Sequence, residues 1–247
     1  MCGVVLAGGW GTRLLPLTTS TNKHLLPVYD EPMILKSISV IKEMGIRDVM
    51  VVLGGYSGNE FFNLLGDGHR MDLEIRYAYQ EQAGGIAEAM RLTKSFVGNR
   101  NVAVILGDNI FQGPMKDYAN QFSVDDEHEC YLFLREVEDS SSFGIAWIDE
   151  HGKISRLEEK PENADSNLAV TGLYIYSPRV FELIEKTIDT VGYSDRGELE
   201  ITDINRFFVE LDLAKGVSFK GHWADCGTID SLLDTSNLVK LWKSRGE

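Results

Sequence analysis

The stretch VVLAGGWGTR, residues 4–13, joins a short apolar run to three closely spaced glycines and then to an arginine. The apolar run predicts a buried β-strand, and the glycines allow the following chain to turn sharply and to approach a ligand closely. Successive backbone amides in such a turn can bind an anion, and Arg13 adds a guanidinium whose donors match phosphate oxygens. The stretch therefore predicts a strand followed by a phosphate-binding loop.

Neither of two common phosphate-binding loops fits this stretch. A dinucleotide fingerprint would need glycine at the position of Leu14, and the chain contains no GxxxxGK[ST] string. A nicotinamide-dependent oxidoreductase is therefore disfavoured, and a P-loop NTPase is excluded. A second cation, Lys23, heads an apolar segment that ends in proline ten residues beyond Arg13.

Outward from this loop, short apolar runs alternate with helical patterns. Further strands are predicted at residues 49–53, 73–79 and 102–106, and helices at 32–44, 59–65 and 86–96. Near-continuous apolar runs are typical of strands that are covered on both faces. The alternating order predicts a parallel sheet with right-handed crossovers.

The second half of the chain has a more mixed pattern. Strands are predicted at 131–137, 144–149, 153–159 and 169–176, with a turn at 150–152, and helices at 178–187, 201–211 and 229–244. Strands that follow one another with little helix between them predict an antiparallel or mixed portion. The expected fold class is α/β, with a Rossmann-like, mixed but mainly parallel sheet flanked by helices, in one domain over residues 1–247.

Composition limits the classes of function. The net charge of -14 argues against a nucleic-acid surface, although a few converging cations can still bind a small anion. The three cysteines form no CxxC pair, which favours a reducing, cytoplasmic location. No apolar run reaches the ~18 residues of a bilayer span, and the first apolar run predicts a strand and not a signal peptide, so no membrane partner is expected.

Several strings resemble a known family. The strings GGWGTRL at 8–14 and KHLLP at 23–27 resemble the sugar-1-phosphate nucleotidyltransferases. The later strings are LGDNIF at 106–111, EEKP at 158–161, VTGLY at 170–174, GELEITDIN at 197–205 and WADCGT at 223–228. They occur in family order and narrow the resemblance to the glucose-1-phosphate thymidylyltransferases, which use Mg²⁺ and are commonly oligomeric.

The resemblance implies a role for each matching position. The catalytic cations would be Arg13, Lys23 and Lys160. The nucleotide would contact Gly8, Gly9, Gly11, Thr12, Gln80 and Gly85. The sugar phosphate would contact Gly144, Glu159, Val170, Thr171 and Arg196. Asp108 and Asp225 would bind Mg²⁺, which favours one or two carboxylates together with phosphate oxygens and water.

The implied reaction transfers a nucleotidyl group from dTTP to a hexose 1-phosphate, expected to be glucose 1-phosphate, and releases pyrophosphate. The sugar phosphate, with a second pKa of about 6, is mostly dianionic at neutral pH, so the reaction needs no protein base. Positioning and electrostatic stabilisation would supply the catalysis. The alternatives are UTP in place of dTTP, another hexose 1-phosphate, and a non-catalytic nucleotide-sugar sensor.

The chain departs from the family pattern at several positions. His24 stands where the longer bacterial members usually have Gln, and Ala83-Gly84-Gly85 replaces a Pro-Asp-Gly loop near the base. Cys226 follows the second metal carboxylate and is expected to be an incidental buried thiol. The sequence ends at Glu247, whereas longer members continue into a secondary regulatory nucleotide site, so the resemblance implies the short form.

Overall fold

The computed structural model describes residues 1–55 and 58–246; Tyr56, Ser57 and Glu247, which the predicted domain includes, lie outside the described residues. The strands are β1 (Cys2–Ala7), β2 (Pro27–Val28), β3 (Glu31–Pro32), β4 (Asp48–Gly54), β5 (Glu74–Gln80), β6 (Val102–Leu106), β7 (Asn109–Gln112), β8 (Cys130–Glu136), β9 (Gly144–Ile148), β10 (Ile154–Glu159), β11 (Leu168–Tyr176), β12 (Ala214–Ser218) and β13 (His222–Asp225). The α-helices are α1 (Met33–Glu43), α2 (Gly58–Leu65), α3 (Ile86–Arg91), α4 (Lys94–Val97), α5 (Lys116–Val124), α6 (Val180–Thr190), α7 (Ile201–Glu210) and α8 (Ile229–Arg245).

One large sheet organises the molecule, with the strand order β10-β9-β11-β6-β1-β4-β5 and with β8 and β12 beside β11. Strands β6, β1, β4 and β5 are parallel, whereas β11 is antiparallel to β6, β8 and β9. The predicted parallel first half and the predicted mixed second half are both confirmed. The carboxyl ends of β1, β4, β5 and β6 meet at one edge, where open α/β sheets bind ligands.

Helices cover both faces of the sheet, and successive side chains of a strand point alternately into the two cores on either side of it. In β1, Val4 and Leu6 pack in the core beneath α3, α6 and α7, whereas Val5 and Ala7 pack in the core beneath α1, α2 and α5. In β1, β4 and β6 this two-sided burial explains the near-continuous apolar runs, because neither face of these strands is open to water. The edge strand β5 differs, because it exposes Glu74, Arg76 and Tyr79.

A two-stranded antiparallel ribbon, β7 with β13, lies apart from the large sheet. Next to it, a third core is built on α8, where Leu232, Val239 and Trp242 pack with Leu14 and Cys226. This small core joins the loop after β1 to the last helix. Within the described residues, none of the helices is long and apolar enough to cross a membrane.

Several local features differ from the sequence predictions. The helix predicted at 86–96 is two short helices, α3 and α4, with the buried Thr93 between them donating its hydroxyl to the Met90 carbonyl (2.7 Å). Strands β7, β12 and β13 and helix α5 were not predicted. The three strands have only four or five residues each, and α5 buries only Ala119 and Phe122, so the apolar periodicity of these elements is weak.

Candidate active site

A cavity of about 790 Å³ opens at the carboxyl edge of the parallel strands and extends toward β9, β10 and β11. Most of the predicted site residues line it: Gly8, Gly9, Arg13, Lys23, Gln80, Gly85, Asp108, Gly144, Glu159, Lys160, Val170, Arg196 and Asp225. A smaller cavity of about 170 Å³ between α1, β7 and α8 contains none of them. The residues from distant parts of the sequence therefore converge on the larger cavity.

Three of the predicted residues do not line the cavity. The side chain of Thr171 is fully buried and donates to the Phe133 carbonyl (2.9 Å), because alternation along β11 turns Val170 and Gly172 toward the cavity and Thr171 away from it. Thr12 is exposed outside the cavity. Gly11 has a φ of 66° and lies where a Cβ would meet Lys23 Cβ at 2.8 Å, so it shapes the loop without lining the cavity.

The two predicted metal ligands are brought together by the β7–β13 ribbon. Asp108 directly precedes β7, and Asp225 ends β13 opposite Asn109. The Asn109 Nδ2 donates to Asp108 Oδ1 (3.1 Å) and lies 3.5 Å from Asp225 Oδ2. One buried amide thus bridges the two carboxylates, which lets both face the cavity despite their like charge.

The orientation of this amide is set from its other side. Asn109 Oδ1 accepts hydrogen bonds from the Trp223 indole (2.6 Å) and from the Gly172 amide (3.0 Å). Because both partners are pure donors, the oxygen of the amide must face them and its NH₂ group must face the carboxylates. Trp223 in turn packs its ring edge-to-face on Phe143, with ring centroids 5.3 Å apart.

The pKa values of the two carboxylates are shifted in opposite directions. Burial of Asp108 would raise its pKa, but the charge of Lys23 and hydrogen bonds from Lys23 and Asn109 hold the pKa well below its usual range. Burial and the charge of Asp108 raise the pKa of Asp225 to about 6. A largely buried pair of repelling carboxylates is a favourable setting for a divalent cation, which would relieve both the burial cost and the repulsion.

The donor set fits Mg²⁺ in number and kind. No cluster of three or more His, Cys, Asp or Glu side chains with metal-ligand geometry occurs in the part of the chain that the structure describes. Two carboxylate ligands leave most positions around the ion open, as expected when phosphate oxygens and water complete the coordination. Cys226, next to Asp225, is buried, and burial raises its thiol pKa to about 12, as expected for an incidental thiol.

Two cations, Lys23 and Arg13, lie at the glycine loop after β1. Lys23 forms an ion pair with Asp108, and its stem passes over Gly9, where a Cβ would lie 2.9 Å from Lys23 Cε. Arg13 is exposed to the cavity and has no hydrogen bond or ion pair with any described residue. His24 is buried beside them, and burial and the charge of Lys23 lower its pKa to about 3, so it is a neutral imidazole.

The end of the cavity near β5 has the properties of a base-binding pocket. Gln80 is buried, its Nε2 donates to the Gly85 carbonyl (3.3 Å), and its Oε1 lies beside Gly8, where a Cβ would be only 2.7 Å away. Leu6 and Ile86 line the same cavity with apolar surface. An amide beside apolar walls can pair with the donor and acceptor of a pyrimidine.

The opposite end of the cavity carries the predicted sugar-phosphate residues. Glu159 accepts a hydrogen bond from Thr202 (2.6 Å) and lies near the ammonium of Lys160 (3.4 Å). Arg196 pairs with Glu200 (2.7 Å) and reaches Glu159 (3.5 Å). Lys160 itself has a φ of 44°, an unusual value for a non-glycine residue and one that is often found at functional sites.

Several residues of the site were not predicted. Asn109, Trp223 and Thr202 lie within the quoted family strings, so their position in those strings was the available signal. Phe143 lines the cavity from a loop outside any string, and only the fold brings it to Trp223.

This chain is similar to known proteins over most of its length. The model of the nucleotidyl transferase family matches residues 2–240. The chain is 39% identical to the glucose-1-phosphate thymidylyltransferase of Neisseria meningitidis over 243 residues, which is 97% of this chain and 83% of that protein.

Two solved structures are similar to this fold over nearly its whole length. A Bacillus anthracis structure assigned to glucose-1-phosphate thymidylyltransferase, in complex with sucrose, has a TM-score of 0.90 and 40% identity over 97% of this chain and 95% of its own. A UDP-glucose pyrophosphorylase with UDP-glucose has a TM-score of 0.82 and 28% identity over 97% and 99% of the two chains. The chain therefore belongs to the nucleotidyl transferase family, among the relatives named glucose-1-phosphate thymidylyltransferase.

Proposed function

We propose that this chain transfers the thymidylyl group of dTTP to α-D-glucose 1-phosphate, giving dTDP-glucose and pyrophosphate in a Mg²⁺-dependent reaction. The observation that carries the proposal is the convergence of Arg13, Lys23 and Lys160 with the Asp108–Asp225 pair in one cavity. Two polyanionic substrates repel each other, and this set of cations and metal ligands supplies the charge that offsets the repulsion. The names of the relatives support the choice of dTTP and glucose 1-phosphate.

Asp108 and Asp225 would bind the Mg²⁺ ion. When bound, the ion would neutralise charge on the triphosphate oxygens. Asn109 keeps the two carboxylates side by side, and Trp223 keeps Asn109 in the required orientation.

The bond-forming step follows from the chemistry of the substrates. A phosphate oxygen of the sugar 1-phosphate attacks the α-phosphorus, and the bond from the α-phosphorus to the oxygen that bridges to the β-phosphorus breaks. The electron pair leaves with pyrophosphate, so no proton has to be removed from the nucleophile. The protein therefore acts by holding the two phosphates in line and stabilising the charge that develops.

Each end of the cavity has its own part in this step. Gln80 and the backbone at Gly85 would bind the pyrimidine, and Arg13 and Lys23 would bind the β- and γ-phosphates. Lys160 and Arg196 would restrain the sugar phosphate, and Glu159 would accept hydrogen bonds from sugar hydroxyls.

The single-domain organisation, a cytoplasmic location and a homo-oligomeric state belong to the same proposal. The three cysteines are free and buried, which favours a reducing compartment. The expected homo-oligomer rests on the family resemblance.

UTP is the alternative nucleotide. The likeness of this chain to a UDP-glucose pyrophosphorylase supports this alternative, so UTP is compared with dTTP in the test below. Thymine and uracil differ by one methyl group, which in an apolar pocket gives roughly 1–3 kcal/mol of discrimination. The two substrates are therefore expected to differ in rate by a measurable factor and not by complete exclusion.

The test is pyrophosphate release from purified protein with Mg²⁺ and glucose 1-phosphate, with dTTP, UTP, ATP, CTP and GTP compared at equal concentration. We expect the highest kcat/KM with dTTP and a lower value with UTP. An Asp225→Asn variant, which keeps the side-chain shape but weakens the metal ligand, should lose most of the activity. A folded wild-type protein without turnover on any of the five nucleotides would contradict the proposal.

A further inference from the structure

The loop between β13 and α8 contains a glycine whose missing side chain leaves room for two charged groups. Gly227 is buried, and its φ lies outside the left-handed region, so its backbone conformation does not require glycine. A Cβ built at this position would lie 2.5 Å from Asp225 Oδ1 and 2.8 Å from Arg13 Nη2. Both distances are far inside van der Waals contact, so a larger side chain would have to displace at least one of the two groups.

The two groups reach Gly227 from distant parts of the chain. Asp225 Oδ1 accepts a hydrogen bond from the Gly227 amide (2.8 Å), which fixes the rotation of this carboxylate. Arg13 comes from the loop after β1 and has no hydrogen bond or ion pair with any described residue. The position of the guanidinium is therefore set by its packing over Gly227 and by the nearby carboxylate, and its donors remain available to a ligand.

The loop itself is held at several points. The Cys226 amide donates to the Asp108 carbonyl (2.9 Å), and Asp225 pairs with Asn109 across the ribbon. Thr228 caps α8 through a reciprocal capping box with Ser231. Because the backbone on both sides of Gly227 is held in this way, the strain of an added methyl group would fall on the flexible side chain of Arg13 and on the carboxylate of Asp225.

We infer that Gly227 is a positioning residue, which fixes the Arg13 guanidinium beside the Asp225 carboxylate so that both face the same bound phosphates. This inference rests on the proposed function, in which pyrophosphate is the leaving group. The first turn of α8 supports the placement, because Thr228 and Ser231 line the same cavity and a helix N-terminus favours an anion. Gly227 touches no reacting atom and acts only through its two neighbours.

The test combines Gly227→Ala with Arg13→Ala in a double-mutant cycle, measured by calorimetric binding of pyrophosphate with Mg²⁺ and by the KM for pyrophosphate in the reverse reaction. In the wild-type background we expect Gly227→Ala to weaken pyrophosphate binding about tenfold or more, in line with the loss of a preorganised donor. In the Arg13→Ala background the same change should cost clearly less than in the wild-type background, because the displacement of Arg13 no longer contributes and only the contact with Asp225 remains. Equal effects in the two backgrounds would overturn the inference.

Gly58→Ala is the matched control. It replaces another glycine without a positive φ, at a site where the nearest neighbour of a Cβ among the described residues would be Phe62 Cε2 at 3.9 Å. This variant should bind pyrophosphate like the wild type. A comparable loss in Gly58→Ala would show that the effect of Gly227→Ala is not specific to its place beside Arg13.

Thermal unfolding separates this inference from the proposed function. If the added methyl group crowds Arg13, Gly227→Ala should lower the unfolding temperature, and adding Arg13→Ala should restore part of the loss. This comparison can be made even where the single variant Gly227→Ala folds poorly. The same lowering with and without Arg13 would refute the proposed contact between the added methyl group and the Arg13 guanidinium. Failure of the wild-type protein to bind pyrophosphate would instead contradict the proposed function, whatever the unfolding temperatures show.

Discussion

Lys23 and a bound metal ion would compete for the carboxylate of Asp108. The Lys23 ammonium is paired with Asp108 Oδ2, and both side chains are largely shielded from solvent. A divalent cation at Asp108 would use the same carboxylate and would be repelled by the ammonium. Metal binding is therefore expected to shift Lys23 away from Asp108 and toward the phosphates.

Replacing Lys23 should separate metal affinity from catalysis. In Lys23→Met, we expect tighter binding of Mn²⁺ in the absence of nucleotide, because neither the ion pair nor the repulsion opposes it. Turnover should nevertheless fall by roughly 10²–10³-fold, the usual cost of losing a preorganised charged donor. Mn²⁺ binding by electron paramagnetic resonance and the rate of pyrophosphate release measure the two effects.

Lys36→Met is the control for this prediction. Lys36 pairs with Glu31 (2.6 Å), and neither residue lines the large cavity. Lys36→Met should therefore change neither the affinity for Mn²⁺ nor the rate of turnover. Weaker Mn²⁺ binding in Lys23→Met would mean that the lysine helps to hold the metal site together, which is the opposite of competition.

At the scale of elements, α8 anchors the loop that follows the proposed metal ligand Asp225 to the rest of the molecule. Trp242 near its end is buried, packs in the core with Leu14 and Cys226, and lies against His222 with ring centroids 5.2 Å apart. Because the helix begins directly after Thr228, its packing determines where that loop can lie.

Truncating Trp242 should destabilise the protein and disturb the site together. We expect Trp242→Ala to lower the free energy of unfolding by about 3–5 kcal/mol, the usual range for a buried Trp. Leu241→Ala, on the exposed side of the same helix, should cost much less. Urea unfolding measures both values. A Trp242→Ala loss no larger than that of Leu241→Ala would contradict the packing role given to α8.

Asp125 joins α5, β8 and β12 at another corner of the fold. Its carboxylate accepts hydrogen bonds from Tyr131 (2.6 Å), from His128 (3.0 Å) and from Lys215 (3.3 Å). Burial would raise the pKa of Asp125, but the hydrogen bonds from Tyr131 and His128 outweigh it and hold the pKa well below the usual range. The ionised form is therefore the one that stabilises the fold.

A lowered pKa of this kind makes stability depend on pH in a definite direction. The contribution is complete above the unfolded-state pKa of about 4 and is lost as the pH falls through that value toward the folded-state pKa. Asp125→Asn should cost about 1.5–3 kcal/mol at pH 7 and progressively less below pH 4. The exposed neighbour Asp126 provides the control. A cost for Asp125→Asn that is independent of pH would contradict this account.

The elements that could be predicted from sequence are those that bury many apolar side chains. Strand β1 and helix α1 have strong apolar patterns because the core determines most of their residues. By contrast, β12 has only one fully buried residue, Ala214, and is a strand because it pairs with β8. Pairing with a partner distant in sequence leaves little local signal, which is why β12 was not predicted.

At the scale of the whole molecule, the cavity lies between the parallel and the antiparallel portions of the sheet, so a bound nucleotide would link them. We expect dTTP with Mg²⁺ at 100 times its Kd to stabilise the fold by about 2.7 kcal/mol, or roughly 5–10 °C for a chain of this length. Differential scanning fluorimetry measures the shift. GTP at the same concentration should give a smaller shift, and equal shifts would contradict a pyrimidine-selective pocket.

The residues of the candidate site could be predicted where they lie within the family strings. Arg13 and Asp225 were predicted from such strings, and the fold brings both to Gly227. Thr171 shows the limit of this reasoning, because a string gives no information on which face of β11 a side chain occupies. Phe143 reaches the cavity only through the pairing of strands, which no local pattern encodes.

The β7–β13 ribbon also determines the order in which the site can form. Asn109 and Asp225, which pair across it, are 116 residues apart in the chain, and β8 to β12 lie between them. Closing so long a segment is entropically costly until the intervening strands have themselves joined the sheet. During refolding, the proposed metal ligands Asp108 and Asp225 should therefore come together late, after most of the secondary structure is in place. A newly made chain would acquire its sheet before its affinity for the divalent ion.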